Sequence, residues 1–232
     1  MLDPKEEQQY TKLRKLAQKL HIPMPEAFLE LEVIDKDGNV IQSHKQRSHS
    51  WTRNAYNLIF CELAGKDASD AGLFQGGKLS IKDTSAAIQD AARVPFISSA
   101  LGNSADAVGA AYRAGAGIDT FGILVGSGVN AESFEDYVLQ TKLANATLAH
   151  VASEPHSISY AALTLKNTLV RYFNNNSGVS QDVNEVALVA YGAAGTSACY
   201  FLVTRDKLAA TVTVPDTGQL KVTYTIQLTY PA

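Results

Sequence analysis

Apolar and polar residues alternate with a period of two across residues 219–230. Leu220, Val222, Tyr224, Ile226, Leu228 and Tyr230 share one face, and Lys221, Thr223, Thr225, Gln227 and Thr229 the other. Successive strand side chains point to opposite faces, so the pattern predicts a strand with one buried face. Residues 210–214 read as its hairpin partner across Pro215-Asp216-Thr217-Gly218, where proline sets a turn φ and glycine takes the left-handed position. Residues 28–34 (Phe28, Leu31 and Val33 apolar, Glu30 and Glu32 between) and 40–44 predict a second hairpin around Asp35-Lys36-Asp37-Gly38-Asn39. Further strands are expected at 121–125, 143–150, 157–174, 186–191 and 199–204, between Gly- and Asn-rich turns. The mixed parity of 157–174 implies either a register shift or cover on both faces.

Helical spacing occurs twice. Asp3-Pro4-Lys5-Glu6 combines a cap, a first-turn proline and a capping-box glutamate. Tyr10, Leu13, Leu16, Ala17 and Leu20 follow as an apolar stripe, which Pro23 and Pro25 end. Residues 1–25 thus read as a helical arm, packed on its own domain or docked on a neighbour. Trp51, Ala55, Leu58, Ile59 and Leu63 predict one further helix after a serine cap, stopped by Gly65. Trp51 reads as a core anchor. Residues 66–117 carry little pattern and much Ala and Gly. Such a long insertion points to contact with other chains. The expected fold is mainly β: an antiparallel, jelly-roll-like β-sandwich over residues 26–232, carrying that loop insertion, behind the N-terminal arm.

Composition narrows the function. The 232 residues carry a formal charge of -3, which gives no electrostatic reason to bind nucleic acid or an anionic membrane. No apolar run reaches the roughly 20 residues of a membrane span, and the polar start lacks a secretory core. Cys61 and Cys199 have no metal-binding or redox spacing and read as buried thiols. The expected compartment of synthesis is a reducing cytoplasm.

Candidate chemistry is sparse. Asp35, Asp37 and Asn39 alternate as in a calcium loop, but the glycine is misplaced for an EF-hand and the closing glutamate is missing. Gly126-Ser127-Gly128-Val129-Asn130-Ala131 matches a dinucleotide fingerprint in spacing, yet acidic Glu132 follows instead of a long helix. Residues 72–78 match a phosphate loop up to Lys78, but Leu79 stands where a metal-binding Ser or Thr belongs. His44 and His49 are five apart, wrong for a shared zinc on a helix or strand. Glu132, Glu135, Asp136, Asp182 and Glu185 are the acidic residues from which a glycosidase pair would be drawn. Lys45, Arg47 and Arg53, with His44 and His49, read as a solvated basic rim or a face for an acidic neighbour.

Three stretches, 33–59, 121–143 and 183–230, occur together in an order that resembles tailed-bacteriophage virion structural proteins. The last is the most specific: a Glu-Val-Ala-Leu strand, a Tyr-Phe-Leu-Val-Thr-Arg-Asp strand and the closing Val-Thr-Val-Pro to Val-Thr-Tyr-Thr-Ile segment. The resemblance implies a non-enzymatic component of a tail, neck, fibre or capsid surface, made in the host cytoplasm and carried in the virion. It implies no cofactor and no catalytic residue, and as partners other virion proteins and copies of itself in a trimer or ring. Assembly contacts are expected at Tyr10, Leu13, Leu16, Leu20, Tyr112 and Arg113. The alternative is a fibre module that binds a host-surface glycan through Trp51, Tyr112 and Tyr137.

Overall fold

A computed structural model describes residues 2–64, 81–89, 92–93, 108–109, 111–194 and 197–231. Most of the expected 66–117 insertion, including residues 72–78, lies outside them. The chain is a mainly β protein with two helices among the described residues, α1 (Pro4–Leu20) and α2 (Arg53–Ala64). Ten strands follow one another as β1 (Met24–Ile34), β2 (Val40–Ser48), β3 (Ala92–Arg93), β4 (Gly122–Gly126), β5 (Ala149–His150), β6 (Ser157–Ala161), β7 (Thr164–Asn174), β8 (Gln181–Ala194), β9 (Ser197–Val214) and β10 (Gln219–Thr229). Among the described residues, no helix is long and apolar enough to cross a membrane.

The strands form two antiparallel sheets packed as a sandwich. The first runs β2-β1-β10-β7-β5, with β6 also paired to β7; the second runs β3-β8-β4, with β9 paired to β8. The β1–β2, β6–β7 and β8–β9 hairpins each stay within one sheet. The inward rows of β1, β10 and β7 meet those of β8 and β9 in one core that includes Leu29, Leu31, Val222, Phe173, Val186 and Val212. α2 closes a second cluster, in which the Cys61 and Cys199 thiols are both buried and form no disulfide.

Three sequence expectations change. Residues 210–214 are not the hairpin partner of β10. They belong to β9 in the second sheet, while β10 lies in the first, between β1 and β7. Val212 and Val214 therefore face Leu220 and Val222 across the core rather than beside them, and Pro215-Asp216-Thr217-Gly218 crosses between sheets. Thr217, at φ 61°, holds the left-handed position there. Gly218 is required for room, since a Cβ would lie 2.9 Å from the Pro215 carbonyl oxygen. Second, β1 begins four residues early and its buried row is Ala27, Leu29, Leu31 and Val33, which puts Phe28 on the outer face with the glutamates. Third, residues 157–174 are two strands. Ala162 and Leu163 have φ of 48° and 62°, the backbone of a two-residue hairpin turn, without the usual Asn-Gly signal.

The edges facing each other at β2 and β9 are joined by two side chains. Gln42 donates to the Thr211 carbonyl at 3.0 Å and accepts from the Thr213 N–H at 3.1 Å. Gln46 does the same with Lys207 and Ala209, at 3.0 and 3.1 Å. Each carboxamide thus satisfies two edge groups of β9 as a neighbouring peptide unit would.

Candidate interaction surface

α1 lies over the outer face of the first sheet, on the end of β1. Asp3 caps it by accepting the Lys5 N–H at 3.0 Å, and His21 ends it in the left-handed conformation. The docking contact is ionic. Arg47 of β2 is buried beneath the helix, its guanidinium 3.9 Å from the Tyr10 ring and 4.6 Å from the Phe28 ring. It donates to both Glu26 and Glu7. Arg14 completes the square, donating to Glu26 at 2.7 Å and to Glu7 at 3.1 Å. Of the basic rim read from the sequence, Arg47 is buried, while Lys45 and His49 stay exposed. Arg47 faces Glu7 and Glu26, Lys45 pairs with Glu30 at 3.0 Å, and Arg53 pairs with Glu135.

This contact turns the apolar stripe sideways. At about 100° per residue, Tyr10, Arg14 and Ala17 face the sheet, and Leu13, Leu16 and Leu20 centre roughly 100° round the helix from them. Those leucines are 49%, 53% and 54% exposed, and α1 buries no residue fully. α2 has a matching feature. Asn54, Ala55, Leu58 and Cys61 are buried against β9, while Tyr56, Ile59, Phe60 and Leu63, at helical i, i+3, i+4, i+7 spacing, are exposed. The stripe expected from the sequence mixes the two faces: Ala55 and Leu58 are buried, but Ile59 and Leu63 belong to the exposed row. Tyr10 of α1 with Tyr56 and Ile59 of α2 flank a cavity of about 200 Å³ over Ala27 and Arg47, so the two helices border one surface.

The carboxylates of the Glu7–Arg14–Glu26–Arg47 square respond to acid. The bond from Arg47, more than the opposing burial, holds Glu7 below its ordinary 4.5. Burial disfavours the charged form of Glu26, but bonds from Arg14 and Arg47 outweigh it, and that carboxyl is also lowered from 4.5. A lowered folded value means the docking contribution is complete above 4.5 and is lost as pH falls through the folded values below it. Hydrogen exchange is expected to show α1 amides losing protection in that acid window, while β1 and β10 amides stay protected. Simultaneous loss in helix and sheet would show that the square does not govern docking.

The aromatics expected to bind glycan occupy different settings. Trp51 is half-buried and packs on both the main core and the α2 cluster. Tyr112 packs on the same two clusters, and burial pushes its hydroxyl up to about 12. Tyr137 is half-buried with the Lys82 ammonium 4.6 Å from its ring. Arg113 is half-buried. Tyr112 thus joins the core clusters rather than an outward patch.

The acidic residues are committed to structural bonds. Arg205 donates to Glu185 at 2.6 Å and to Asp136 at 2.9 Å, and Asp182 accepts from Thr213 at 2.7 Å. Asp35 accepts the N–H groups of Asp37 and Asn39 at 2.9 and 2.8 Å, which makes its loop a turn. The fingerprint glycines have a steric cause: a Cβ on Gly126 or Gly128 would stand 2.5 or 2.6 Å from Glu185 Oε1. One group among the described residues gathers metal-ligating side chains, His49, Glu132 and Asp206. These lie far apart in the sequence, and no spacing rule joins them.

No protein family, curated protein or solved structure matches the chain.

Proposed function

We propose that this chain is a non-enzymatic structural subunit of a tailed-phage particle that assembles with copies of itself through the outer faces of α1 and α2. The carrying observation is the Leu13–Leu16–Leu20 row, which the ionic docking of α1 turns away from its own sheet. Contiguous exposed apolar surface on a soluble domain marks an interaction site. The spacing 13, 16, 20 is that of a coiled-coil seam. The occupant is a second α1: Glu6 stands in its first turn and Lys12, Lys15 and Lys19 in its later ones. An antiparallel pair about a twofold axis therefore sets acidic starts against basic ends. Such pairs can repeat round a ring or join subunits within a particle, where other virion proteins are the further partners. The sequence resemblance supports the particle; the helix faces support the self-contact. The glycan reading has weaker support, because Trp51 and Tyr112 are turned into the core.

The test is the oligomeric state of the purified chain by light scattering. The wild type is expected to self-associate. Changing Leu13, Leu16 and Leu20 to serine removes three apolar contacts worth about 1.5 kcal/mol or more each, so association should weaken by more than about a thousandfold. The β circular-dichroism signal should persist, since no α1 side chain is fully buried. A wild type that stays monomeric at high concentration, or a triple variant that associates equally well, rejects the self-contact. Absence of the chain from purified phage particles rejects the virion role.

A further inference from the structure

The end of β2, the loop after β4 and the middle of β9 converge. His49 follows β2, Glu132 lies in the loop and Asp206 is on β9; one ligating atom from each falls within 4.8 Å of the others. Asp206 is fully buried, and its Oδ1 has no hydrogen-bond partner. The carboxyl's other contacts are the Tyr224 hydroxyl, at 3.5 Å from the second oxygen, and bonds from the Ser48 side chain and the Ser50 N–H. A buried carboxylate oxygen left unpaired carries its desolvation cost without compensation. Burial, reinforced by the charge of Glu132 and opposed by a bond from Ser48, pushes this carboxyl up to about 6.

The surroundings hold these side chains in place and leave them a route to solvent. Glu132 Oε1 accepts the Lys207 N–H at 2.7 Å. Arg205 fixes the loop that carries it, donating to the Asn130 and Ala131 carbonyls at 3.2 Å each. His49 is exposed, and with Glu132 it lines a surface cleft shared with His44, Lys45 and Lys207.

We propose that His49, Glu132 and Asp206 bind a divalent first-row transition cation, best matched by zinc, that clasps β2 to β9. One imidazole and two carboxylates form a mixed nitrogen–oxygen set that suits such an ion, whereas magnesium and calcium favour oxygen alone. The two carboxylates neutralise its charge, and the fourth tetrahedral position opens to the cleft. Zinc bonds of about 2.0–2.2 Å place tetrahedral ligand atoms roughly 3.3–3.6 Å apart. The exposed imidazole closes that remaining distance by a change of rotamer. The ion supplies Asp206 Oδ1 with the partner it lacks, and it ties the first sheet to the second beside the glutamine pair.

Tag-free protein, stripped with chelator, tests this. Zinc, manganese, calcium and magnesium are titrated separately by calorimetry and thermal melting, and cobalt is added for its visible spectrum. The expected result is one zinc per chain, a higher melting temperature with zinc, and cobalt bands of a four-coordinate site. His49→Ala and Glu132→Gln, neither in the buried core, should keep the metal-free melting temperature and bind zinc more than about tenfold more weakly. No zinc binding, equal binding by both variants, or binding of calcium or magnesium alone overturns the assignment.

Discussion

Replacing Arg171 with methionine is expected to destabilise the fold by about 4 kcal/mol, measured by urea unfolding. Arg171 is fully buried in the row Leu31–Val222–Arg171 of the first sheet and points across the sandwich. Among the described residues, no carboxylate bonds it. It donates instead to five backbone carbonyls: Val151 at 2.9 Å, Phe121 at 3.2 Å, Ile123 at 3.0 Å, Gly115 at 3.2 Å and Ile118 at 2.5 Å. Burial pulls the guanidinium down to about 10, which leaves it charged at neutral pH. Methionine keeps much of the apolar stem but strands those carbonyls, and a buried carbonyl without a partner costs about 1–3 kcal/mol. The costs do not add fully, because the freed segment can relax toward water. Hydrogen exchange should rise first in residues 111–123. Arg171→Lys should recover only part of the loss, since an ammonium has three donors for five acceptors. A methionine variant within 1 kcal/mol of wild type would show that the segment holds its shape without the arginine.

The second large effect is expected at Glu185. Its carboxylate accepts the N–H groups of Gly128, Gln140 and Thr141 at 3.2, 3.2 and 2.8 Å, and Arg205 donates to it at 2.6 Å. Both side chains are buried. Removing Glu185 strands three backbone N–H groups and leaves Arg205 buried with Asp136 as its remaining counter-charge, which costs about 3–5 kcal/mol. Glu185→Ala should fall in that range and loosen residues 127–141. Glu185→Ala with Arg205→Ala should cost clearly less than the two single changes together, because either single change already breaks the bond they share. Additivity in that cycle, measured by chemical denaturation, would show that the pair is not energetically coupled.

These two residues show where sequence reading stops. Period-two alternation located β10 and β1, and helical spacing located both helices, because those signals are local. The partner of β10 was misread because a turn signal such as Pro-Asp-Thr-Gly states that the chain reverses, not whether it returns beside itself or opposite itself. The β6–β7 turn was invisible because Ala162 and Leu163 adopt a backbone that their identities do not advertise. Arg171 sits where an apolar residue was due, and its reason is five carbonyls from distant loops. Arg47 looked like a surface charge until α1 covered it. The Gly126 and Gly128 spacing was plain, but its cause, the Glu185 carboxylate lying against both, is a long-range contact. His49, Glu132 and Asp206 meet only through the folded topology.

Gln42 and Gln46 have a consequence for growth. An uncovered strand edge is a template on which another chain can polymerise without limit. The edge of β9 from Lys207 to Thr213 is occupied by carboxamides from the same molecule. Under the proposed self-contact, this closure leaves recruitment to finite helix faces that saturate once paired. Replacing both glutamines reopens that edge, and the expected outcome is filaments where the wild type stops at a finite assembly.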